Sequence, residues 1–97
     1  MEIDDHIKMF PSPLNIFDRF LEQNRKKQPY NVEAWLLYNF YWYLVSTENI
    51  IPYISENETA NITSLTLEEV KGARRLLIEM GLISKWCGAG FPIKGRE

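Results

Sequence analysis

Histidine and cysteine, the side chains that most often carry catalysis or hold transition metals, occur once each in this chain, as His6 and Cys87. One of each cannot build a zinc site of the usual four-ligand kind. No serine or cysteine nucleophile has a base beside it, since His6 sits in an acidic N-terminal stretch. Gly88-Ala89-Gly90 lacks the lysine and the following helix of a phosphate-binding loop. Carboxylates are plentiful, but no pair marks a pocket. These absences argue against an enzyme, a metal, a cofactor or a small-molecule substrate. What the chain does offer is a concentration of cations. Residues 1–70 hold 5 basic and 11 acidic side chains, whereas residues 71–97 hold 6 basic and 2 acidic ones. The six are Lys71, Arg74, Arg75, Lys85, Lys94 and Arg96. Ammonium and guanidinium groups suit a polyanion. The overall charge of −2 hides this division. A shorter run, Arg25-Lys26-Lys27, reads either as a solvated linker or as a second anion contact.

The elements that must position these cations follow from patterning. With 97 residues the chain is long enough for one small core. Its single cysteine excludes an intrachain disulfide. Residues 1–11 read as a flexible arm, and residues 12–31 as an N-terminal helix and linker. Ser12-Pro13 starts that helix, near 13–24, with Ile16, Phe17, Phe20 and Leu21 at helical spacing. Asn31 caps a second helix over 32–46 that is apolar or aromatic on nearly every face, which predicts burial on more than one side. The spacing of Trp35, Tyr38, Tyr41, Trp42 and Tyr43 marks core and subunit interface rather than base stacking. Phe17, Phe20, Trp35, Tyr38 and Trp42 are the expected interface residues, for a homodimer or another protein partner.

Ile50-Ile51-Pro52-Tyr53-Ile54 reads as a short edge strand. Ser55/Glu58 and Thr66/Glu69 are two capping boxes that start helices near 56–62 and 67–80. Gly81 stops the second. Leu82–Trp86 and Phe91–Lys94 read as strands of a hairpin turning through Cys87–Gly90. The N-terminus has neither the basic start nor the apolar run of a signal peptide. The apolar stretch 34–45 is shorter than the about 20 residues that span a bilayer. The expectation is a cytoplasmic protein without membrane contact.

Residues 60–83 resemble the helix-turn-helix core of bacterial winged-helix regulators of the GntR type. From Ala60, the chain places Thr66 at offset six, Val70 at ten, Ala73 at thirteen, Leu77 at seventeen and Gly81-Leu82-Ile83 from twenty-one. The aromatic helix with Ile50–Ser55 resembles, more loosely, the winged-helix domains of phage and plasmid replication proteins. The fold so implied is mainly α with a small β-hairpin: a winged helix-turn-helix over 32–97 with an extra N-terminal helix, forming a single domain.

The resemblance implies double-stranded DNA as the partner, with helix 67–80 in the major groove and the 82–96 hairpin as a wing. Thr66, Glu68, Lys71, Arg74 and Arg75 would then face DNA from the helix, and Lys85, Lys94 and Arg96 from the wing. Glu68 and Glu69 are unusual beside phosphates. Glu69 is explained by its capping box, and both glutamates by the positive end of the helix dipole. Gly72 in mid-helix either admits a close neighbour or is tolerated at a small cost. The function implied is a sequence-specific DNA-binding protein, a transcription regulator or replication factor of phage, plasmid or bacterial type. The alternative is an interaction module on the same fold that binds a basic partner through its acidic N-terminal part, such as a virus-encoded inhibitor of a host nucleic-acid machine.

Overall fold

The computed structural model describes residues 11–47 and 54–83. A 3-10 turn, Pro13–Ile16, runs directly into α1, Phe17–Arg25. Then come α2, Asn31–Thr47, α3, Glu56–Thr63, and α4, Leu67–Glu79. The described residues are 76% helical and contain no strand. The winged-helix expectation, mainly α with a β-hairpin, is therefore corrected to a small all-α arrangement. Of the expected strands, residues 50–53 and 84–96 lie outside the described residues. Ile54, Leu82 and Ile83 are described, and none is extended in a sheet.

The reason lies at the end of α4. Gly81 adopts φ +75. Its N–H donates to Ile78 O at 3.0 Å, and the Leu82 N–H donates to Leu77 O at 3.0 Å. This pair of bonds is a Schellman motif, with glycine at the left-handed position. It folds the chain back so that Leu82 and Ile83 are buried against the end of α4. Two apolar residues after a glycine look the same in sequence whether they begin a strand or close a helix. Here they close a helix.

The same motif ends α1. Lys27, at φ 58, donates to Asn24 O, and Gln28 donates to Gln23 O. Arg19 then ties α1 to the far end of α4 by donating to Met80 O at 2.5 Å. The proline start is as expected, but Ser12 makes no side-chain cap bond. Asn31 also departs from its expected role. It is inside α2 and its side chain donates to Gln28 O, so Tyr30 precedes the helix and its carbonyl accepts the first turn's bond from Ala34.

α2 is the central element and packs against α1, α3 and α4. Its Ala34, Leu37, Tyr38, Tyr41 and Val45 are buried. They meet Phe20 of α1 and Ala73, Leu76 and Leu77 of α4 in one core. Tyr38 reaches through that core and donates to Pro11 O at 2.7 Å, so its hydroxyl is satisfied. Phe17 and Phe20 stack obliquely on Trp35, with centroids 5.1 and 5.0 Å away. One face of α2 stays open: Val32, Leu36 and Tyr43 are exposed, and they fall on one helical stripe.

Candidate nucleic-acid interface

α3 and α4 are joined by three residues, Ser64–Thr66. Ser64 takes the left-handed conformation, φ 66, that ends α3. A Ser55 hydroxyl accepts from Glu58 N at 3.1 Å and starts α3. Thr66 starts α4 with a full capping box: Oγ1 accepts from Glu69 N at 3.1 Å, and Glu69 Oε1 accepts from Thr66 N at 2.9 Å. The left-handed Ser64 and the Thr66 capping box thus make the connection between the two helices short and tight. The Glu69 carboxylate is committed to the cap.

Val70, Ala73, Leu76 and Leu77 bury one side of α4. The opposite side therefore presents Glu68, Lys71 and Arg75, all exposed together with Thr66 at the cap. Arg74 lies elsewhere. It is half-buried and paired with Glu56 of α3 at 3.5 Å, so it braces the corner instead of facing outward. Lys85, Lys94 and Arg96 lie outside the described residues. Within the basic run, Arg25 pairs with Glu22 at 2.9 Å, and Lys26 and Lys27 are exposed.

Tyr30 is the residue at this face that sequence reading missed. Its ring lies directly over Gly72. A Cβ built on Gly72 would stand 2.3 to 2.7 Å from three Tyr30 ring carbons, so only glycine admits the ring. The mid-helix glycine was the available signal, and the linker tyrosine is its cause. Tyr30 Oη donates to Glu68 Oε2 at 3.3 Å. The negative charge of Glu68, with Glu33 and Glu69 adding to it, holds the phenol above its ordinary pKa and keeps it a donor. Tyr30, Leu67, Glu68, Lys71, Gly72 and Arg75 line an open groove of about 400 Å³. Its polar lining joins the Glu68 carboxylate and the Tyr30 hydroxyl with two cations, Lys71 and Arg75.

The expected interface residues divide. Phe20 and Tyr38 are in the core of the single chain. Trp35 and Trp42 are half-buried against that core, and Phe17 is 42% exposed. The more open apolar side chains are Leu14 in the 3-10 turn, Val32, Leu36 and Tyr43 on α2, and Ile62 on α3. Among the described residues no three histidine, cysteine or carboxylate groups come together as metal ligands. No helix among them is long and apolar enough to cross a membrane. No family model matches the chain, and neither a curated protein nor a solved structure is significantly similar to it.

Proposed function

We propose that this protein binds double-stranded DNA by laying the outward face of α4 in the major groove, and acts in the cytoplasm as a regulator or replication factor. The observation that carries the reading is the tight α3–α4 connection, which leaves Thr66, Lys71 and Arg75 exposed on one side of the second helix. A helix is the element that fits the major groove, and its N-terminal half is the part that reaches base edges. The two glutamates of the first turn are each accounted for, Glu69 by the cap and Glu68 by Tyr30. Fluorescence polarisation with duplex DNA across a salt series tests the reading. Lys71 and Arg75 together neutralise at most two phosphates, so this face gives a log–log salt slope no steeper than about −2. Lys71→Glu with Arg75→Glu should abolish it. Affinity that is absent at low salt, or indifferent to salt, refutes the reading.

A protein-interaction role is favoured by a different observation, the uncharged stripe Val32, Leu36 and Tyr43 on α2, with Leu14, Phe17 and Leu21 also exposed in the N-terminal helical segment. Exposed apolar side chains gathered on one helical stripe suit a protein contact. In this second reading two copies pair through α1 and α2. Sedimentation of the full chain against Leu36→Lys tests it: a monomer in both removes the homodimer.

A further inference from the structure

Tyr30 is out of place for an ordinary linker residue. It holds a left-handed backbone, φ 66, which a bulky aromatic rarely adopts. Such conformations cost free energy and persist where the surroundings impose them, often at binding sites. Here the imposing contact is α4 itself, because the ring fills the space left by the missing Cβ of Gly72. The ring is thereby fixed on the outward face of α4, over Gly72, which shares a helical stripe with Glu68 and Arg75. Its hydroxyl reaches Glu68, which shares the groove with Lys71 and Arg75.

Resting on the DNA-binding reading above, we propose that Tyr30 is a positioning residue that aims the Glu68 carboxylate at a cytosine amino group, so that α4 selects a site containing a C·G pair. The chemistry follows from the groove's polar lining. A carboxylate only accepts hydrogen bonds, and in the major groove the cytosine N4 amino group is a donor. Across the same pair, guanine presents N7 and O6, both acceptors, which suit an ammonium or guanidinium. Glu68 lies three residues from Lys71 and seven from Arg75, so the acceptor and the two donors share one helical face. The Tyr30 bond occupies one carboxylate oxygen and limits the rotamers of Glu68, leaving the other oxygen to accept from the base. A glutamate left to swing in this position would mostly repel phosphate. Restrained by Tyr30, it becomes a discriminating group.

The test uses the full chain and a random duplex pool. Sites selected by the natural protein should share a C·G pair, and replacing that pair by T·A should weaken binding about tenfold in polarisation. Glu68→Gln should move the preference at that position to adenine, because an amide pairs with adenine N6 and N7. Tyr30→Phe keeps the ring over Gly72 and removes only the hydroxyl. It should leave the salt slope unchanged and lower the melting temperature only slightly, by the loss of one exposed hydrogen bond, while reducing the C·G discrimination to under about threefold. If both variants bind duplex DNA with the natural base preference, the role assigned to Tyr30 and Glu68 is wrong and the DNA-binding reading stands. If no protein in the series binds any duplex in a salt-dependent way, the DNA-binding reading fails and this inference falls with it.

Discussion

Replacing Gly72 by alanine sets two effects of opposite sign against each other, and the structure says which one wins. In a helix interior alanine is favoured over glycine by about 1 kcal/mol. An isolated α4 would therefore be strengthened. In the folded chain the new methyl lands 2.3, 2.4 and 2.7 Å from Cδ2, Cε2 and Cγ of Tyr30. Contact with Cγ matters most, because turning the ring about χ2 leaves that atom in place, so relief requires a new χ1 rotamer or a shift of the linker. Forcing an extra methyl into such a contact costs about 1–3 kcal/mol. The net expectation for Gly72→Ala is a loss of between about 0 and 2 kcal/mol. In a Tyr30→Gly background the ring is gone, and the same substitution should gain about 1 kcal/mol. The double-mutant cycle therefore carries a coupling of about 1–3 kcal/mol, the sum that single-variant effects cannot mimic. Urea unfolding of the four proteins, followed by circular dichroism, measures it. Equal stabilisation by alanine in both backgrounds would refute the packing of Tyr30 on α4, and with it the groove.

Thr66→Ala removes the acceptor for Glu69 N and should cost about 1 kcal/mol, within the usual range of a lost cap, read as a lower urea midpoint. Ser64→Gly relieves a left-handed serine at φ 66 and should stabilise by about 1 kcal/mol in the same assay. Leu77→Ala opens the fully buried contact between α4 and α2 and should cost about 2–5 kcal/mol. The Tyr30 phenol, followed by NMR of labelled tyrosine, should titrate above its ordinary pKa, and Glu68→Gln should bring it down. A raised folded pKa favours the protonated form, so this contact supports the fold below the unfolded value near 10 and loses that support as pH rises through the folded value.

Much of the helical framework was legible locally. Thr66 and Glu69 marked the start of α4 because a capping box is made by residues three apart, and its chemistry is complete within one turn. The same logic placed α3 behind Ser55, although the structure shows only the serine half of that box bonding. The nearly all-apolar 32–46 stretch announced a central helix, since no such surface can stay wet on all sides. Arg74 shows where local reading stops. Helical spacing sets it at the side of the Lys71–Arg75 face as a further DNA contact, but it lies toward α3, where Glu56 takes it up. A side chain's partner on another helix is not encoded by helical spacing.

The sequence by itself determined the four helix positions and the gathering of cations after residue 70, because each depends on neighbours in the chain or on composition alone. Tertiary structure decided that Leu82 and Ile83 close α4 onto the core, since a Schellman motif and a strand begin with the same residues. It also decided which aromatics are core and which are surface. Above all it decided the meaning of Gly72. A glycine records only that a side chain is missing, and what fills the space is a residue forty-two positions earlier, brought there by the packing of α2 on α4.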